Sequence, residues 1–261
     1  MAIQFHKRPG LVAYITCGDP DVKTTIDIIL AAVEAGADVI ELGVPFSDPV
    51  ADGPVIQAAS ERALAGRTSV KDVLEVARAV RKQTDVGMIV FSYMNPLLRY
   101  GLEKFCTDAA SAGVDGVLVT DLPVEESGPY LTAMAKHQLD PVFLVAPTSP
   151  DGRLKMIAEK SRGFVYAVSR TGVTGTRHEV AGDAKELVNR LRKYTKLPIA
   201  VGFGVSNAEQ FAEVGRFADA VVVGSAIMQR VFDHPGDEAE AVKTFVRGLT
   251  SAMKPAAARR G

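Results

Sequence analysis

Short apolar runs alternate with amphipathic stretches from one end of the chain to the other, and that alternation restricts the fold more than any other feature. The runs read as strands at Leu11–Thr16, Val39–Leu42, Gly87–Ser92, Gly116–Thr120, Pro141–Val145, Phe164–Ala167, Pro198–Val201 and Ala218–Val223. They are rich in Val, Leu, Ile and Phe with little polar alternation, the pattern of parallel strands buried on both faces. The intervals carry helical periodicity. In 69–83, Val70, Val73, Leu74, Ala77 and Val80 share a face, and Ser69 with Asp72 forms a capping-box pattern. The stretches 184–194 and 238–249 repeat the periodicity, the last as a closing helix. EAGADVIELG, SAGVDGVLVTD and VGRFADAVVVGS share one grammar: helix end, short turn, strand. Eight such units in about 250 residues predict one α/β domain over residues 1–261, a single (β/α)8 TIM barrel. An open doubly wound sheet is the alternative, but the first turn, Cys17-Gly18-Asp19-Pro20, lacks the GxGxxG of a dinucleotide fold.

Composition narrows the function. Thirty Lys+Arg balance 31 Asp+Glu, so no nucleic-acid partner is expected. Cys17 and Cys106 are too few for a disulfide scaffold, which points to a reduced, cytoplasmic setting. The N-terminus is too polar for a signal peptide, and no apolar run approaches the length of a membrane span. The tail from Lys254 is expected to fray.

A barrel carries its chemistry at the C-terminal ends of its strands. Gly202-Phe203-Gly204 follows the seventh strand and Gly224-Ser225 the eighth, the latter opening a helix. Backbone N–H groups there suit a phosphate, with Gly175 as a third donor from the loop after strand six. Ordinary tight turns are the competing reading of any one of these glycines. Glu41 ends an apolar strand, where desolvation should raise its pKa toward that of a neutral-pH acid/base. The alternative is a structural ion pair. Asp52, eleven positions on, can reach the same pocket. Tyr14, Tyr166 and Phe203 can line a flat apolar slot, or simply pack in the core. The loop 169–175 reads as a lid over the pocket. No strand end carries a lysine for Schiff-base chemistry. His6, His137, His178 and His234 have no metal-ligand spacing, so no metal site is expected. What remains is metal-free acid/base chemistry on a small phosphorylated molecule.

ELGVPFSDPVADGP, at Glu41–Pro54, closely resembles the signature of the tryptophan synthase α family. GDP at Gly18–Pro20, YMNP at Tyr93–Pro96, TDLPVEES at Thr120–Ser127, SRTGVTG at Ser169–Gly175, GFGVS at Gly202–Ser206 and VVGSA at Val222–Ala226 extend the likeness over almost the whole chain. The resemblance implies retro-aldol cleavage of indole-3-glycerol phosphate, with Glu41 as general acid/base. It implies that Asp52 receives the indole N–H, with Tyr166 close by and Thr174 orienting Asp52 from the lid. Tyr14 and Phe203 would flank the indole; Gly175, Gly204, Gly224 and Ser225 would hold the phosphate. Pro45, Asp48 and Asn95 would face a β subunit in an αββα complex. That partner carries pyridoxal phosphate, and no cofactor is expected in this chain. A stand-alone indole-releasing lyase and a non-catalytic barrel that activates a partner are the alternatives. The likeness departs in two places. Family members carry a longer N-terminal segment with a short helix under the barrel, whereas ten residues precede Leu11 and Arg8-Pro9-Gly10 does not continue a helix, so how the barrel bottom is closed is left open by the resemblance. Tyr14 stands where phenylalanine is common.

Overall fold

A computed structural model describes residues 3–168, 177–202, 204–251 and 254–255. The expected strands form one parallel sheet: β1 Gly10–Thr16, β2 Val39–Gly43, β3 Gly87–Ser92, β4 Gly116–Val119, β5 in two segments Asp140–Val142 and Leu144–Val145, β6 Val165–Val168, β7 Ile199–Gly202 and β8 Ala220–Val223. The first segment of β5 pairs with β4, the second with β6. Phe143 joins them and accepts the Tyr166 N–H at 3.0 Å, so the sheet closes on itself through one strand. β8 pairs with β1 to complete the ring. This is the (β/α)8 barrel the alternation predicts, and the open sheet is excluded.

The helices are α1 Val22–Glu34, α2 Pro54–Ala65, α3 Val70–Arg81, α4 Met94–Tyr100, α5 Leu102–Ser111, α6 Gly128–Lys136, α7 Asp151–Lys160, α8 Arg177–Leu191, α9 Ala208–Val214, α10 Ser225–Asp233 and α11 Glu238–Thr250. α3 starts where Asp72 accepts both the N–H and the Oγ–H of Ser69, at 2.8 and 2.6 Å. α8 starts seven residues before the periodicity of 184–194 would place it. α11 closes the outer ring on α1, where Glu34 meets Lys243 and Arg247 at 2.7 and 3.1 Å.

The recurring helix–turn–strand grammar has a physical core. Asp38, Asp115 and Asp219 each stand one residue before an even strand. Each donates its N–H to the preceding odd strand, at Leu11, Met88 and Ile199 oxygens, 2.8–3.0 Å away. Each carboxylate then receives the N–H of that same residue, at 2.9, 2.8 and 2.9 Å. A buried N–H at the start of a strand thus finds a partner that the ladder does not supply. β6, the remaining even strand, lacks this aspartate: Phe164 precedes it, and the N–H that reaches β5 is that of Arg162, three residues before the strand, which donates to Pro141 oxygen at 2.9 Å.

Among the described residues, the barrel bottom is covered by side chains of the segment before β1 rather than by a helix. Ile3, 6% exposed, packs into the interior cluster of Val12, Val39, Ile89, Leu118 and Phe164. Phe5 meets Phe164 edge-on at 5.9 Å. Apolar area excluded from water is what a plug requires, and two side chains on an extended segment provide it. Lys254–Pro255 pairs antiparallel with Lys7–Arg8 beneath; the rest of the tail lies outside the described residues.

Asp219 also faces Arg8 and Arg192, whereas Asp38 stands over backbone donors. Replacing Asp38 by Ala strands one buried N–H and should cost about 1–3 kcal/mol. Asp219→Ala strands the Ile199 N–H in the same way and also removes the carboxylate that faces the partly exposed Arg8 and Arg192, so it should cost up to about 1 kcal/mol more than Asp38→Ala. Urea unfolding of the two variants checks the order; equal losses would deny the ion pairs a role.

Candidate active site

Successive residues of a strand point to opposite faces, and β2 shows what that does to a glutamate. Val39 packs in the barrel interior, while Ile40 and Leu42 pack outward under the helices. Glu41 therefore projects inward, near the mouth. It is fully buried, and neither carboxylate oxygen has a hydrogen-bond partner among the described residues. Burial penalises its charged form and pushes its pKa up to about 8. The ion-pair reading of Glu41 has no partner to support it among those residues.

Tyrosines flank this carboxyl. Tyr14 is the register partner of Glu41 on β1, and its ring meets Phe91 edge-on at 5.1 Å. Tyr166 stands on β6 at the same end. Both ring tips need room that only glycine leaves. A Cβ on Gly43 would lie 2.4 Å from the Tyr14 hydroxyl oxygen, and one on Gly202 would lie 2.7 Å from that of Tyr166. Burial raises both phenol pKa values well above the ordinary range, and the charges of Asp52 and Glu41 raise them further. The phenols stay protonated and polar inside an otherwise apolar wall. The extra hydroxyl of Tyr14, absent from a phenylalanine, is met by Thr16, whose Oγ–H donates to it across 3.4 Å.

Asp52 comes from the long loop between β2 and α2. Burial raises its pKa, and a hydrogen bond from Tyr93 opposes the rise. That bond is 3.0 Å long, from the Tyr93 hydroxyl to Asp52 Oδ2. Tyr93 carries no expected role in the sequence reading. The signal was its position directly after β3, where any barrel strand offers a side chain to the mouth.

On the far side, Gly204 has φ +65°. Gly224 caps α10, whose first residue is Ser225, and it approaches Tyr14: a Cβ there would lie 3.2 Å from that of Tyr14. The α10 N-terminus thus opens beside the tyrosine. Thr174, Gly175 and Phe203 lie outside the described residues. Pro45 is buried, whereas Asp48 and Asn95 are exposed on the rim. Among the described residues no cluster of His, Cys, Asp or Glu could hold a metal ion, and no helix is long and apolar enough to cross a membrane.

A carboxyl whose folded pKa stands near 8 against an ordinary 4.5 links stability to pH. The fold favours its protonated form. That contribution is fully present below about 4.5 and is lost as pH rises through about 8. The unsubstituted chain should lose on the order of a few kcal/mol across this window relative to Glu41→Gln, which has no proton to lose. Urea midpoints at pH 5 and pH 8.5 test this; parallel pH trends in the two proteins would show Glu41 ionised in the fold.

Residues 1–257 match the family model described as tryptophan synthase alpha chain. The chain is 49% identical to the tryptophan synthase alpha chain of Solibacter usitatus over 249 residues, covering 95% of this chain and 92% of that one. It is 47% identical to that of Neisseria meningitidis serogroup B, over 94% of each. Among solved structures it resembles tryptophan synthase from M. tuberculosis in its aminoacrylate-bound form, with TM-score 0.86 and 37% identity over 95% of this chain and 94% of that one. It also resembles tryptophan synthase subunit alpha from Legionella pneumophila, with TM-score 0.86 and 35% identity over 94% and 92%. The likeness covers the barrel and its mouth alike, and the chain belongs to the tryptophan synthase alpha chain family.

Proposed function

We propose that this chain is the lyase subunit that splits indole-3-glycerol phosphate into indole and glyceraldehyde 3-phosphate, acting as one barrel domain. The observation that carries the reading is the Glu41 carboxyl, buried with no hydrogen-bond partner among the described residues and with a pKa near 8. At neutral pH it holds a proton and can give it to the indole ring carbon that bears the glycerol chain. The ring then carries positive charge. The conjugate carboxylate takes the proton of the adjacent glycerol hydroxyl as the carbon–carbon bond breaks and its electrons return to the ring. One proton enters and one leaves, so the products sum to the substrate and no cofactor is required in this chain. Asp52, whose carboxylate form the Tyr93 hydroxyl favours against the opposing effect of burial, accepts the indole N–H and stabilises the charged ring. Tyr14 and Tyr166 flank the flat ring, joined by Phe203 from the seventh loop.

The phosphate is assigned to the α10 N-terminus at Gly224 and Ser225, where first-turn N–H groups lack intrahelical acceptors, together with Gly204 and Gly175. The family resemblance gives Thr174, outside the described residues, a role in orienting Asp52. Beside the mouth a groove of about 360 Å³ is lined by Pro45, Phe46, Asn95 and Pro96. With the exposed Asp48 next in sequence to Ser47 of its lining, it suits a β subunit that holds pyridoxal phosphate and receives the indole. That pathway belongs in the cytoplasm.

Purified chain supplied with indole-3-glycerol phosphate should release indole, faster with a β subunit present. Glu41→Gln should lower kcat at least about 100-fold while a phosphate analogue still binds. Undiminished turnover in that variant would assign the proton transfers elsewhere. Ser225→Asp should raise KM about tenfold or more by setting a carboxylate against the phosphate. An unaltered KM would remove the α10 terminus from the site.

A further inference from the structure

We propose that Tyr93 is the positioning residue for Asp52, aiming its carboxylate at the pocket from a strand end of the barrel. The inference rests on the lyase reading above and adds a residue to it. Asp52 sits on a long loop, and among the described residues its other bonds are made by its backbone: its N–H donates to Pro49 oxygen at 3.0 Å, and its carbonyl accepts from the Gln57 side-chain amide at 2.8 Å. Neither fixes the side chain. The Tyr93 hydroxyl fixes both side chain and backbone. It donates to Asp52 Oδ2 at 3.0 Å, and its oxygen accepts the Ala51 N–H at 2.9 Å. The phenol is itself held, 2% exposed, with its ring tilted on Phe46 at 5.1 Å. A carboxylate bonded to a barrel strand end inherits the precision of the barrel, where one on a loop keeps the loop's freedom.

The direction of the bond follows from charge. Burial, and then the charge of Asp52, raises the Tyr93 pKa, so the tyrosine keeps its proton and donates. A carboxylate accepts that proton better than a carboxylic acid does, which favours the ionised Asp52 that an indole N–H needs. Tyr14 on β1 and Tyr166 on β6 feel the charges of both Asp52 and Glu41, so the bonded carboxylate bears on the same pocket as the acid/base.

Tyr93→Phe deletes the hydroxyl and keeps the ring on Phe46. Its kcat for indole release should fall about 10- to 100-fold, with KM moved by less than about threefold. In an Asp52→Asn background the same substitution should cost nothing further, because its effect runs through the carboxylate. A single-variant kcat within about twofold of the parent, or the full loss repeated in the Asn background, would overturn the proposal. Independently of turnover, the Asp52 carboxyl followed by carbon-13 NMR should titrate at higher pH in Tyr93→Phe than in the parent. An unchanged midpoint would also overturn it. Should the unsubstituted chain release no indole while that midpoint shifts, the lyase reading falls and the positioning contact stands.

Discussion

A closed parallel barrel has no edge and almost no water inside, so any polar group on an inward strand position must find a partner or change its ionisation. At the bottom the partners are built in: Asp38, Asp115 and Asp219 bond backbone groups of the neighbouring strands, and Ile3 and Phe5 exclude water from the centre. At the mouth Glu41 faces the same low-dielectric interior with no partner among the described residues, and its proton stays on. The two ends are one device. Satisfying the bottom stabilises the ring of strands, and that ring holds the unsatisfied carboxyl in a place it would otherwise leave.

The mouth is then a matter of shape and charge. Gly43 and Gly202 remove side-chain bulk where the Tyr14 and Tyr166 rings need to lie, so the wall is flat and aromatic but tipped with hydroxyls. Burial raises the pKa of both carboxyl groups in this wall, but only one of them has a hydrogen bond that opposes the rise. Glu41 has only burial acting on it and is protonated. Asp52 has burial opposed by the Tyr93 hydroxyl. In the proposed lyase reading Glu41 would be the proton donor, and the bond from Tyr93 favours the carboxylate of Asp52.

Much of this was legible in the residues. Runs such as VIEL and AVVV read as buried parallel strands whatever surrounds them, and a glutamate inside such a run announces itself. The split of β5 did not, because PVFLV is evenly apolar; the break at Phe143 comes from pairing β4 on one side and β6 on the other. The aspartate before three of the four even strands lies within the repeated helix–turn–strand grammar, but its partner on the preceding strand is a tertiary fact. The plug at Ile3 and Phe5 was missed for the same reason: a helix was sought, and burial needed none. Tyr93 was passed over because its partner lies 41 residues earlier, on a loop without periodicity.

The most direct measurement is the protonation state of Glu41 itself, from the infrared carboxyl signal that the unsubstituted chain has and Glu41→Gln lacks, followed from pH 5 to pH 10. A protonated-carboxyl band present at pH 7 and lost with a midpoint near 8 is the expected result. A band already replaced by carboxylate at pH 6 would mean that the barrel mouth solvates or pairs Glu41, and the proton donor would have to be another group.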